Sequence, residues 1–164
     1  MIFRKSRTQR IKEKARKGLE DEIPKTKKKY VVDTSAVINR FLPQLIQRGL
    51  KGILIVPNAV VAELEHLANK GKEEGFIGLD EISSLHNFKS IKLSFEGPRP
   101  NNSQIRYAKS GGIDDLIRSI ATDENAILIT ADLVQAKSAK AYGLQVIFLK
   151  PKLKKRKFPF WKKT

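Results

Sequence analysis

The chain has 164 residues, of which 40% are hydrophobic, and this length favours a single domain with a buried core. It contains no cysteine, which excludes disulfides, thiolate catalysis and Cys-based zinc sites. The net charge of +16 lies in two basic tails, because residues 1–29 and 150–164 each carry +8 and the segment between them is neutral. We therefore expect a polyanion partner, namely nucleic acid, with an acidic membrane surface as the weaker alternative.

Hydropathy gives no indication of a membrane protein. The longest uncharged apolar run, Gly52 to Ala62, has 11 residues and is too short to span a bilayer. The amino terminus is basic but is not followed by the apolar stretch of a secretory signal. The expected location is therefore the cytoplasm, without membrane attachment.

Short apolar strands alternate with helices along the neutral segment. Strands are predicted at 29–33, 52–57, 90–97, 125–132 and 144–149, the third as an edge strand because its polarity alternates. Helices are predicted at 34–48, 59–70, 75–88, 113–123 and 133–142. Asn58 is expected to cap the second helix, and Ser103 is expected to begin a short helix in the loop after the third strand. This alternation predicts an α/β fold with a parallel sheet covered on both faces.

Two aspartates are expected at one edge of this sheet. Asp33 closes the first predicted strand, and Asp132 lies just past the fourth. Open parallel sheets bind ligands outside the carboxyl ends of their strands. Asp33 and Asp132 are therefore candidate site residues.

Helical phase separates the adjacent acids Asp114 and Asp115. The apolar stripe of their helix is formed by Ile113, Leu116, Ile117 and Ile120. Asp114 falls on the flank of this stripe, whereas Asp115 points to solvent with Arg118 three residues on as a surface partner. Acids are favoured in the first turn of any helix, which accounts for Asp115 but leaves the half-buried charge of Asp114 to be compensated.

The same test does not separate Glu63 from Glu65, although Glu63 is nearer the strand edge. Several carboxylates in one crevice repel one another unless they keep protons or bind a cation. A set of oxygen ligands without Cys or clustered His suits Mg²⁺ or Mn²⁺. Together with the basic tails, this predicts metal-dependent hydrolysis of nucleic acid.

Four motifs of the chain resemble those of the PIN domain, the PilT N-terminus family of metal-dependent nucleases. They are VVDTSAVI, VPNAVVAELEHLANKG, IDDLIRSIA and LITAD, within residues 30–149. The resemblance implies that the catalytic and metal-binding acids are Asp33, Glu63, Asp114 and Asp132. It also implies that their orienting hydroxyls are Thr34, Ser35 and Thr130. The resemblance implies a three-layer α/β/α sandwich with a five-stranded parallel sheet. It also implies that the site binds one or two Mg²⁺ or Mn²⁺ ions and that the protein forms a dimer, as is common in the family.

Within the family, the chain is most similar to the PIN domain at the front of archaeal PIN–ATPase proteins. The segments GPRP, KSGGIDDLIR and TADLVQAKSAKAYG carry this likeness. The chain lacks a GxxxxGK[ST] motif, so we expect a stand-alone version or the front piece of a longer protein, with an ATPase as partner or missing domain. Asn39 and Arg40 replace the Asp-Gly pair common after the first motif.

The leading functional prediction is an endoribonuclease that cleaves single-stranded RNA by attack of metal-activated water on the phosphodiester. Processing of structured DNA is an alternative within the same chemistry. A binding module with weak or no cleavage is a second class, and a toxin-type ribonuclease is a third. The predicted organisation is a basic extension at 1–28, a PIN domain at 29–149 and a basic, aromatic tail at 150–164.

The carboxyl-terminal tail interleaves aromatic and basic side chains. Aromatic rings stack on bases while lysines and arginines contact phosphates, so this segment is predicted to bind single strands. The residues concerned are Lys154, Lys155, Arg156, Lys157, Phe158 and Trp161. The alternative is that the aromatic residues cover an apolar patch of the domain or insert into a missing domain.

Overall fold

Five parallel strands form the centre of the computed structural model, which describes residues 23–107 and 112–151. The strands are β1 (Lys28–Val32), β2 (Gly52–Pro57), β3 (Ile91–Glu96), β4 (Ile127–Thr130) and β5 (Val146–Phe148). Their order across the sheet is β3-β2-β1-β4-β5. The strand order reverses between β1 and β4, where Val32 is in register with Ile129. Such a reversal opens a crevice at the carboxyl edge of the sheet.

The described helices cover both faces of the sheet. They are α1 (Thr34–Ile38), α2 (Leu42–Gln47), α3 (Asn58–Asn69), α4 (Glu73–Leu85), α5 (Asn102–Tyr107), α6 (Gly112–Asp123) and α7 (Leu133–Ala141). The connections from β1 to β3 run in one direction along the sheet, and those from β3 to β5 run in the other. Right-handed crossovers therefore place α1–α4 on one face and α6 and α7 on the other. This confirms the predicted three-layer α/β/α sandwich with a five-stranded parallel sheet.

The central strands are apolar because both of their faces are buried. Val31, Leu54, Leu128 and Ile129 are all fully buried. Burying one large aliphatic side chain contributes about 1.5–3 kcal/mol, so the sheet provides a rigid base for whatever lies at its edge. None of the helices in the two described ranges is long and apolar enough to cross a membrane.

The prediction of one helix over 34–48 was wrong, because the structure breaks it into α1 and α2. Arg40, in the break, has a left-handed φ of 56°. Pro43 is in the first turn of α2. Proline has no N–H to donate to the carbonyl of Asn39, so a continuous helix would lose a hydrogen bond and clash at this point.

One predicted cap and one predicted helix start were also wrong. The Asn58 side chain donates to the Gly97 carbonyl, at 2.8 Å, and so ties the start of α3 to the end of β3 rather than capping a helix. The helix α5 begins at Asn102 rather than at Ser103, and Asn101 caps it. Asn101 and Gln104 form a reciprocal capping box, in which each side chain accepts from the other backbone N–H at 2.8 Å.

Of the other predicted features, the edge position of β3 is confirmed. Phe76, in the first turn of α4, is 55% exposed. Most of the basic extension (residues 1–22) and the tail residues 152–164, including Lys154 and Trp161, lie outside the described residues.

Gly75→Ala tests the close approach of α3 and α4. A Cβ at Gly75 would meet the backbone N of Ala68 and lie 2.6 Å from the Leu64 carbonyl oxygen. We expect the free energy of unfolding to fall by about 3 kcal/mol, because backbone atoms cannot move aside as a flexible side chain does. Urea unfolding measures the change. Glu74→Ala, on the exposed side of the same helix, is the control, and an equally small effect at both positions would contradict the packing.

Candidate active site

Asp33 lies at the reversal of strand order and is 4% exposed. Its backbone N–H donates to the Ile129 carbonyl at 2.9 Å, which extends the pairing of β1 and β4 by one residue. Its Oδ2 accepts from the hydroxyls of Ser35 (2.7 Å) and Thr130 (2.6 Å). These two hydrogen bonds compensate a buried carboxylate that would otherwise be costly.

Backbone N–H groups fix the direction of these hydroxyls. Ser35 Oγ accepts from the N–H of Ala131 at 2.9 Å, and Thr130 Oγ1 accepts from the N–H of Asp132 at 3.0 Å. A hydroxyl has one proton to donate, and in both residues a carboxylate oxygen of Asp33 lies within hydrogen-bonding distance. Ser35 and Thr130 therefore form a fixed pair of donors directed at Asp33.

Glu63 is brought to the same edge by a contact with the first helix. Thr34 Oγ1 donates to Glu63 Oε2 at 2.6 Å, and Thr34 follows Asp33 directly in the chain. Glu65, two residues on, instead pairs with Arg99 on the exposed side of α3. The structure thus distinguishes the two glutamates that helical phase left unresolved.

Asp132 has a structural role in addition to any chemical one. Its Oδ1 accepts from the backbone N–H groups of Val134 (2.7 Å) and Gln135 (3.1 Å), so it is the N-cap of α7. The Gln135 side chain also donates to the Asp114 carbonyl at 3.2 Å, which links the start of α6 to α7.

The adjacent acids of α6 have different surroundings. Asp114 is half-buried, whereas the side chain of Asp115 is exposed and pairs with Arg118. This matches the positions predicted from helical phase. The catalytic role assigned to Asp114 stays a prediction.

Electrostatic coupling joins the four acids. Burial, and to a lesser extent the charge of Asp132, raises the pKa of Asp33, while the Thr130 hydroxyl opposes the rise. Burial raises the pKa of Glu63, with smaller contributions from Asp33 and Asp114. Burial also raises the pKa of Asp114, with Asp33 and Asp132 adding to the effect. The pKa of each of these three acids therefore depends on the charge of at least one other acid of the site.

The donor chemistry fits a hard divalent cation such as Mg²⁺ or Mn²⁺. All four candidates are carboxylates. Burial and repulsion raise the pKa values of Asp33, Glu63 and Asp114, and a bound cation would offset both effects. Among residues 23–107 and 112–151, no three His, Asp or Glu side chains are already grouped as a set of metal ligands.

Sequence reasoning missed Gln135. This side chain is 1% exposed and contacts both Asp114 and Arg118. The signal was a polar residue three positions after a capping aspartate, next to the small core residue Ala136. Neither histidine belongs to the cluster: His66 is in the last turn of α3, and His86 stacks on Phe95 at the end of α4.

Comparison with known proteins gives a family match over most of the chain. The sequence profile of the PIN domain matches residues 30–149. A KH and PIN-domain containing protein of Methanocaldococcus jannaschii, itself named as uncharacterized, is 44% identical over 137 residues, which are 79% of this chain and 21% of that protein. The Holliday junction branch migration ATPase PINA of Sulfolobus acidocaldarius is 22% identical over 120 residues, 73% of this chain and 22% of that one. The chain therefore spans about a fifth of the length of these two relatives.

One solved structure agrees with the described fold. A domain of a functionally unknown protein from Methanocaldococcus jannaschii superposes with a TM-score of 0.71 at 43% sequence identity. The superposition covers 75% of this chain and 91% of that domain. The sandwich and its carboxyl edge are thus shared with a relative of known structure.

Asp114→Asn tests the mutual repulsion of the acids. Because the pKa of Asp114 is raised in the folded state, its contribution to stability is complete below its ordinary pKa of 3.8 and is lost as pH rises through the folded-state value. In EDTA at pH 7 we expect Asp114→Asn to stabilise the protein by about 0.5–1 kcal/mol, a modest gain because Asp114 is only half-buried. The gain should disappear near pH 3.5 in urea unfolding.

Asp115→Asn is the matched control for this measurement. It removes one charge of an exposed ion pair with Arg118, so it should be neutral or slightly destabilising at pH 7. Stabilisation of the same size by both substitutions would show that net charge, rather than the cluster, is responsible.

Proposed function

The chain belongs to the PIN-domain family, and on this basis we propose that it is a metal-dependent endonuclease that cleaves single-stranded RNA. PIN domains are generally nucleases that use divalent metal ions. The observation that carries the proposal is the electrostatic coupling of Asp33, Glu63, Asp114 and Asp132 at the carboxyl edge of the sheet. Carboxylates gathered in one crevice are a liability for folding unless a cation uses them.

In the proposed site, the acids would bind the metal and the neighbouring hydroxyls would orient the acids. Asp33, Glu63, Asp114 and Asp132 would hold one or two Mg²⁺ or Mn²⁺ ions, which supply Lewis-acid chemistry at a phosphodiester. Thr130 and Ser35 donate to Asp33, and Thr34 donates to Glu63. These hydrogen bonds favour the ionised carboxylates and limit the rotation of each about its last bond.

Support for a single-stranded substrate comes from the rim of the site. Leu133 is 54% exposed and Val134 is 76% exposed, and they are the two residues after Asp132. Exposed apolar side chains beside a phosphodiester site favour contact with unstacked bases, which a duplex keeps in its interior. The basic tails would add contacts with phosphates, and Lys154, Lys155, Arg156, Lys157, Phe158 and Trp161 remain proposed nucleic-acid contacts.

Structured DNA is the second candidate substrate, favoured by the likeness to a relative named for branch migration of Holliday junctions. The proposed partners beyond nucleic acid are a second copy of the chain and an ATPase, either separate or as a further domain, since relatives join PIN to other domains. The proposed location is the cytoplasm.

Cleavage of labelled oligonucleotides tests the proposed activity. Single-stranded RNA, single-stranded DNA and a four-way DNA junction are incubated with Mn²⁺, Mg²⁺ or EDTA. We expect RNA cleavage with either metal and none in EDTA. Asp33→Asn and Asp114→Asn should each lower the rate by roughly 100-fold or more, because each removes a charged ligand.

Asp115→Asn is the control, since it changes the same charge one residue away from the cluster, and its rate should be near that of the wild type. Equal loss at Asp115 would refute the assignment of Asp114. Cleavage of the four-way junction but not of RNA would identify structured DNA, rather than single-stranded RNA, as the substrate. Binding of RNA without cleavage under any metal would overturn the enzymatic proposal in favour of a binding module.

Leu133→Ser with Val134→Ser tests the apolar rim. Loss of two base contacts should raise KM for single-stranded RNA by about tenfold and leave kcat within about twofold, because these residues do not hold the metal. Phe76→Ser is the matched control, since Phe76 is 55% exposed and lies in the first turn of α4, at the opposite end of the sheet. An unchanged KM in the double variant would show that Leu133 and Val134 do not contact the RNA.

A further inference from the structure

Gln135 is a buried polar residue that donates hydrogen bonds to two of the candidate acids, one from its backbone and one from its side chain. It is 1% exposed and lies between α6 and α7. Its backbone N–H donates to Asp132 Oδ1 at 3.1 Å, and its side-chain Nε2 donates to the Asp114 carbonyl oxygen at 3.2 Å. An apolar side chain of the same size would fill this space without any desolvation cost, so packing alone does not explain an amide at this position.

The amide has one orientation because Arg118 fixes it. Arg118 Nη1 donates to Gln135 Oε1 at 2.7 Å, so the oxygen must face Arg118 and the NH₂ group must face Asp114. Arg118 is in turn held by an ion pair with Asp115 and by the ring of Tyr142, whose centroid lies 5.5 Å from the guanidinium carbon. The planar guanidinium can make all of these contacts at once.

The effect of the bridge is to fix the spacing of two helix starts. Asp114 is the third residue of α6, and Asp132 caps the first turn of α7. Each helix could slide or rotate slightly on the sheet, and like-charged carboxylates at their ends would favour separation. Gln135 opposes that separation because a single residue bonds to the backbone of Asp114 and the side chain of Asp132.

We propose that Gln135, oriented by Arg118, is a positioning residue that holds Asp114 and Asp132 at the spacing needed to bind a divalent cation. The inference rests on the proposed function and adds a determinant of metal affinity that touches neither metal nor substrate.

The affinity of the full chain for Mn²⁺ tests the bridge. It is measured without nucleic acid, from the EPR signal of the free ion. Gln135→Met keeps charge and approximate volume but removes both side-chain hydrogen bonds, and we expect Mn²⁺ affinity to fall about tenfold. Leu50→Val is the control for lost stability, since Leu50 is buried just before the amino end of β2, away from the carboxyl edge, and it should leave affinity within roughly twofold.

Arg118→Lys provides a second variant that keeps the positive charge and loses the forked geometry. It should weaken Mn²⁺ binding about threefold. Combined with Gln135→Met, it should add little, because Arg118 acts through Gln135. If Gln135→Met fails to fold, the affinity of Arg118→Lys decides the matter, and unchanged affinity overturns the inference.

Mn²⁺ binding and RNA cleavage by the wild type distinguish a failure of this inference from a failure of the proposed function. A wild type that neither binds Mn²⁺ nor cleaves RNA with it overturns both. A wild type that does both, with Gln135→Met equal to it in Mn²⁺ affinity, overturns only the positioning role.

Discussion

The burial of one carboxylate, that of Asp33, is the constraint on which the site depends. A carboxylate that is 4% exposed can stay ionised only if donors replace the water it has lost. Those donors come from Ser35, just after β1, and from Thr130, the last residue of β4. They meet at Asp33 only because β1 and β4 are neighbours in the sheet. The strand order and the chemistry of the crevice therefore cannot be changed independently.

In the proposed metal site, the same carboxylates would link metal binding to the release of protons. The pKa values of Asp33, Glu63 and Asp114 are all raised, chiefly by burial, so these carboxyl groups keep their protons to higher pH than free carboxyl groups do. A divalent cation at these oxygens would compete with those protons, and its binding would release them. The stability lost through repulsion in the folded chain would then become part of the binding energy of the cation. The rigid apolar sheet beneath allows the fold to tolerate that loss.

Patterns in the sequence predicted burial well and specific contacts poorly. Continuous apolar runs predicted the buried parallel strands, and helical phase correctly predicted an exposed Asp115 beside Arg118. Phase could not separate Glu63 from Glu65, because both flank the buried stripe and only a tertiary hydrogen bond from Thr34 distinguishes them. Gln135 was missed for a related reason: its role depends on the distance between two helices that are adjacent only in the folded chain.

The four acids differ in how much of the fold depends on them, and this affects what a substitution can show. Asp132 caps α7, and removal of such a cap costs about 1 kcal/mol, so an alanine there would disturb the helix and its Gln135 bridge together with any metal site. Asparagine keeps an oxygen that can accept the same backbone N–H groups while it removes the charge. Asp114 uses only its backbone carbonyl in the bridge, so changes to its side chain report on charge alone. Loss of activity in Asp114→Asn is therefore direct evidence about the carboxylate, whereas at Asp132 only the asparagine variant separates chemistry from structure.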